Sequence, residues 1–134
     1  MSFNLFSRAR RAAPIALALS LGSVSAHAEI KNYEFRLVSQ DIKTSDDVIA
    51  VRLIRKSDSK PVPDAVIFAT RLDMQPDGME AMKTSIEPQP SAEPGIYRFK
   101  VKLTMEGNWR LSLGAKIQGE ADTLENRLVF KVLP

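Results

Sequence analysis

From Tyr97 to Ile117 apolar side chains fall on every second residue. Tyr97, Phe99, Val101 and Leu103 alternate with Arg98, Lys100 and Lys102, and Trp109, Leu111, Leu113, Ala115 and Ile117 repeat the pattern. A period of two marks a strand with one buried face, whereas an amphipathic helix needs a repeat near 3.6. The same alternation runs through Tyr33, Phe35 and Leu37, through Ile49, Val51 and Leu53 in "DVIAVRLIR", and through Leu128, Phe130 and Val132, while "AVIFATRLDM" reads as a further strand rich in β-formers. Breaks between these runs are chemical. "SDSKPVPD" carries Pro61 and Pro63, which cannot donate to a ladder, and "SIEPQPSAEPG" carries Pro88, Pro90 and Pro94 and reads as loop for most of its length. A short strand around Met82 to Ile86 precedes that loop, and "EGN" between Met105 and Trp109 reads as a hairpin loop with Gly107 free to take positive φ. The pattern predicts an all-β chain with no helix: an immunoglobulin-like β-sandwich of about seven strands.

Residues 1–28 have a different grammar. Arg8, Arg10 and Arg11 precede the apolar run "AAPIALALSLGSVS", and "AHA" supplies small residues at Ala26 and Ala28 in an A-x-A cleavage pattern. This is the arrangement of a secretory signal peptide. It predicts a mature domain over 29–134, released on the far side of the inner membrane, in the periplasm. The leader holds three of the 19 basic residues and none of the 16 acidic ones, so the formal charge of +3 belongs to it and the remainder is balanced. Charge therefore gives no support to a nucleic-acid partner, or to the mature chain binding a membrane directly. His27, the sole histidine, leaves with the leader, and there is no cysteine. A mature chain with neither residue cannot build a Ser-His-Asp or Cys-His nucleophile, a His-ligated zinc site or a disulfide. Nothing marks a substrate cleft, so a non-enzymatic protein is expected.

The mature chain spends its soft ligands in one place. Met74, Met79 and Met82 lie within "LDMQPDGMEAM", and Gln75-Pro76-Asp77-Gly78 between them has the residues of a type I turn that folds Met74 back towards Met79. If the short strand near Met82 to Ile86 reverses the chain, Met105 and Trp109 reach the same end of the sandwich. Thioether sulfur is a soft, neutral donor, so Met74, Met79, Met82 and Met105 point to Cu(I) or Ag(I) as the ion held. Trp109 either covers that ion through a cation–π contact or fills the core of its strand. The methionines have a bland role open to them as well, as fillers of irregular core gaps. Asp73, Asp77 and Glu80 match no calcium-loop spacing and read as a solvated acidic turn.

"PGIYRFKVKLTMEGNWRLSL", through Pro94, Gly95, Tyr97, Leu103, Gly107, Trp109, Leu111 and Leu113, resembles the FixH and YtkA-like group of bacterial extracytoplasmic domains, and "VPDAVIFATRLDMQPDGME" resembles their first half. The resemblance implies an immunoglobulin-like periplasmic domain, often encoded with heavy-metal efflux or copper-delivery systems, including those serving cytochrome oxidase assembly. FixH resembles a membrane-anchored protein, whereas this chain is expected to be cut free, so the YtkA-like side fits better. Two functions follow as expectations. One is an accessory protein that holds Cu(I) or Ag(I) through thioethers and supplies an efflux or oxidase-assembly partner. The other is an interaction module that docks on such a membrane complex and binds no metal.

Overall fold

The computed structural model describes residues 30–134, so the predicted leader and its cleavage site lie outside the described residues. Strands account for most of the described residues: β1 (Tyr33–Leu37), β2 (Ile42–Lys43), β3 (Val48–Arg55), β4 (Lys60–Pro61), β5 (Val66–Met74), β6 (Met79–Thr84), β7 (Ile86–Gln89), β8 (Ile96–Val101), β9 (Gly107–Lys116) and β10 (Thr123–Leu133). They form two sheets. One runs β1-β3-β8-β7 with β4 also on β3, and the other runs β2-β10-β9-β5-β6. Every pairing is antiparallel except that of β2 with β10. This is an immunoglobulin-like β-sandwich, with the seven expected strands present, one of them divided into β6 and β7, and two short ones, β2 and β4, added at the margins. Among the described residues no helix is long and apolar enough to cross a membrane.

The alternation places the core. Register pairs such as Leu72 with Leu111, and Phe130 with Trp109, put one apolar face of β5, β9 and β10 opposite the apolar face of the other sheet. There Phe35 pairs with Leu53, and Ile49 with Phe99. Trp109, Phe99, Leu53, Leu72, Met74, Leu111 and Val51 are the largest side chains wholly withdrawn from water. Each removes apolar surface worth roughly 2 kcal/mol or more, and this stands in for the disulfide the chain does not have.

Two expectations are corrected. The segment before Trp109 is not a hairpin loop. β8 and β9 belong to different sheets, so residues 102–106 cross between them, and Leu103 plugs the crossing at 5% exposure. The proline-rich segment is loop beyond Gln89, in keeping with expectation, but opens as a strand. Ile86–Gln89 pairs with β8 in spite of Pro88, because β7 is an edge strand and the missing N–H can face away from the ladder. The strand expected near Met82 to Ile86 is in fact two. β6 pairs with β5 in one sheet, and after Ser85 the chain continues as β7 in the other.

Polar groups finish the end of the sandwich where β5 begins. The Tyr97 hydroxyl donates to Val62 O at 2.7 Å and accepts the Ala65 N–H at 3.0 Å, tying down the link between β4 and β5. Burial pushes the Tyr97 phenol up from its ordinary value, although the Ala65 N–H acts the other way. Next to it Gly95 takes φ +80°, and its carbonyl accepts the Leu53 N–H at 2.8 Å. A Cβ at Gly95 would lie 2.5 Å from Pro61 Cβ and 3.1 Å from its Cα, whereas one at Gly78, with the similar φ of +74°, meets nothing within 4 Å. Both positions carry the backbone penalty of left-handed φ, and only Gly95 adds a collision. Gly78→Ala is expected to cost about 1 kcal/mol and Gly95→Ala at least about twice that, read as the separation of their urea midpoints at unchanged m. Equal losses would show that Pro61 moves aside.

Candidate functional site

The turn after β5 organises the opposite end of the molecule. Pro76 supplies a fixed φ, Gln75–Asp77 winds as one turn of 3₁₀ helix, and Gly78 closes it in the left-handed region with its N–H donating to Gln75 O at 2.8 Å. Chain reversal then sets Met79 directly across the ladder from Met74. The next pair in register is Asp73 with Lys83, so residues 80–82 form a bulge on β6.

Asp77 joins this turn to the start of β9. Its carboxylate accepts the Asn108 backbone N–H and the Asn108 side-chain N–H, each at 2.8 Å. These bonds, the backbone one foremost, hold the Asp77 carboxyl below its ordinary value. Between the two segments lies Gly107 at φ +137°, where a Cβ would sit 2.6 Å from the Met74 methyl and 2.7 Å from Asp77 Oδ2. Glycine is therefore what lets the Met74 terminus reach the segment that carries Met105. Trp109 completes the join, its indole N–H donating to Met105 O at 3.0 Å.

The expected ligand residues thus divide. Met74, Met79, Met105 and Trp109 belong to segments that meet at this end, and Met82 follows in the β6 bulge. Their environments differ. Met74 and Trp109 are fully buried core residues, Met79 is half-buried against the core, and Met82 and Met105 are 40% and 39% exposed. Trp109 has the inward position of its strand and an indole N–H committed to Met105 O, which is the core role. Among the described residues no three His, Cys, Asp or Glu side chains gather as a metal-holding group.

Asp73 departs most from its sequence reading. It is wholly buried on the outer side of the sheet, where Arg71 Nε and Arg110 donate to Oδ2, the latter at 3.0 Å, and the Gln75 N–H donates to Oδ1 at 3.1 Å. Arg71 also donates to Glu80 O at 3.0 Å, so the carboxylate and its arginines tie together β5, β9, β6 and the turn. Burial works to raise the Asp73 carboxyl, but the hydrogen bonds from Arg71, Arg110 and Gln75 outweigh it and leave the group below its ordinary value. One signal lay in the sequence: Arg71 and Asp73 share a strand face two residues apart. Arg110 is brought to them by a register that no local pattern discloses.

A profile of the YtkA-like family matches residues 27–114. No curated protein matches the chain. Among solved structures, the crystal structure of the Lin-41 filamin domain is similar at a TM-score of 0.42 and 19% identity, over 75% of this chain and 91% of that one.

The depressed Asp73 carboxyl has a testable sign. Folding is favoured by this group above its unfolded value near 4, and the contribution drains away as pH falls through the lower folded value. Asp73→Asn is expected to cost on the order of 2 kcal/mol at pH 7, less than a fully buried pair because the Arg71 side chain stays 40% exposed. The variant should also show a shallower loss of stability below about pH 4. Chemical denaturation at pH 7, 4 and 3 measures both effects, and parallel wild-type and variant curves would remove Asp73 from the acid response.

Proposed function

The chain belongs to the YtkA-like family, and from that membership we propose that it is a periplasmic accessory protein. On this reading it takes up a soft monovalent ion, Cu(I) or Ag(I), weakly at its methionine-bearing end and passes the ion to a membrane efflux or oxidase-assembly partner. The ion is cargo, not a resident cofactor. One observation supports this above the others: Met74 and Met79 are register partners, and Gly107 admits the Met74 methyl against the segment that bears Met105. Two separate stretches of chain thereby bring methionines to one end, and among the described residues no cluster of three His, Cys, Asp or Glu side chains competes for the role.

Burial assigns the roles. Met79, Met82 and Met105 have surface within reach of an incoming ion, while Met74, beneath them, would be recruited only if its terminus turned outward past Gly107. Thioethers need lose no proton to bind and gain none on release, which suits transfer over storage. The buried Trp109 supports the arrangement by fixing Met105 O and not by covering the ion.

Replacing Met79, Met82 and Met105 together by Leu keeps volume and apolarity, so stability should change by less than about 1.5 kcal/mol. Cu(I) binding, measured by competition against a chromogenic chelator under reducing, anaerobic conditions, is expected to be lost in that variant. In the wild type it should change less than about threefold between pH 7 and pH 5.5. Undiminished binding by the triple variant, or a steep fall on acidification, would remove the thioethers from the role.

A further inference from the structure

β5 is paired along nearly its whole length on one side and along only a third of it on the other. β9 covers it from Val66 to Asp73, whereas β6 covers only Leu72–Met74 before the chain leaves for the other sheet at Ser85. Among the described residues no strand pairs with the β6 side of Val66–Arg71. Alternate residues of a strand aim their N–H and C=O to opposite sides, so this stretch presents a row of backbone donors and acceptors.

What flanks this row makes it a site. A cleft of about 470 Å³ opens between β5 and the second sheet, lined by Ala65, Ile67, Pro88, Pro94, Tyr97 and Phe99. Its far wall includes β7, whose Pro88 removes a donor and blocks a continuous ladder there. β5 has no proline. On its outer side a bulge between Ile67 and Ala69 puts Phe68 over Gly114, whose added Cβ would be 3.2 Å from the ring, and leaves Phe68 56% exposed. Val66 beside it is 62% exposed. On the outward face Arg71, Lys83 and Arg127 border this stretch against Glu125, whereas Asp64 and Glu93 line the cleft at its Val66 end.

We propose that the open edge of β5, Val66–Arg71, receives an extended segment of a partner protein as an added strand, its apolar side chains turned into the cleft and its acidic ones outward beside Phe68 and the arginines. Hydrogen bonds to the edge supply affinity without sequence demands, and the two-sided environment supplies the alternation the partner must have. Ion binding plays no part in this site.

The test uses metal-free protein labelled with ¹⁵N and a capped synthetic peptide of about nine residues that alternates valine and glutamate. Peptide addition should slow amide exchange at the edge-facing residues of Val66–Arg71 by about tenfold and leave the rest of the protein unchanged. Two N-methylated peptides separate backbone from side-chain recognition. In an added strand all valine amides face one way and all glutamate amides the other, so methylating one set abolishes binding and methylating the other does not. Phe68→Ser, at an exposed position, should weaken binding several-fold with folding intact. Absence of edge protection, or equal effects of the two methylated peptides, would overturn the proposal. So would sedimentation of the free protein as a dimer with the same amides protected, because the occupant would then be a second copy.

Discussion

The chain's change of sheet at Ser85 is the constraint on which the rest of the structure depends. Up to Thr84 the backbone pairs with β5, and from Ile86 it pairs with β8 on the opposite layer. A continuous strand in either sheet would close one edge and leave the other sheet without its last member. By dividing a single extended stretch between the layers, the protein covers part of both and locks the sheets together on that side. Thr84 helps hold the crossing, its hydroxyl donating to Lys102 O at 2.7 Å on the chain that crosses between β8 and β9. Two features descend from this division: a short β6, and an uncovered edge on β5.

The methionine-bearing end is built as a structural joint first. Asp77 grips Asn108, Trp109 grips the Met105 carbonyl, Gly107 makes space for Met74, and Asp73 gathers Arg71 and Arg110 on the outer face. Two of these contacts, Asp77 with Asn108 and Asp73 with Arg110, link elements 31 and 37 residues apart, so a domain with no disulfide has its crossover pinned by polar contacts. Such contacts are costly to leave unmade, which makes them effective in specifying one arrangement. Sulfur atoms placed on a rigid joint hold their spacing better than sulfur atoms on a free loop, and weak ligands gain most from preorganisation.

Much of this was legible because burial on one face of a strand writes itself as alternation. Tyr97 to Leu103 and Trp109 to Ile117 disclosed their inward faces residue by residue, and proline and glycine clusters marked where strands stop. Pro88 misled because a proline excludes only a central strand, and edge position is a property of the assembled sheet. Gly107 misled in a similar way: a positive φ suits a hairpin and a crossover alike, and only the sheet to which β8 belongs separates the two. For the methionines, the local turn and the shared end followed from sequence, whereas the burial of Met74 against the exposure of Met105 did not. Both are apolar residues at strand ends, and packing from the other sheet decides which is sealed. Asp73 shows the same limit for charge. A lone carboxylate near a turn reads as solvated until an arginine 37 residues away is known to lie in the neighbouring strand.

β5 is the element where the two proposed activities come together. Its last residue is Met74, and its unpaired edge ends only one residue before the stretch that β6 covers. A partner strand laid along Val66–Arg71 would therefore run in line with β6 and abut it, with its near end about three residues from Met74. At a rise of about 3.4 Å per residue this is about 10 Å along the strand, within the reach of side chains extended from both sides. A partner whose own thioether or thiol ligands flank the docking segment would then meet Met82, exposed in the β6 bulge, without any movement of the sandwich. Ion transfer between weak, exchangeable ligands needs proximity more than affinity, because tethering replaces a second-order encounter by a local one at high effective concentration. An open edge beside a methionine end supplies that proximity through backbone geometry alone. The surface that recognises the partner can then stay free of sulfur, and the surface that carries the ion can stay free of the demands of recognition.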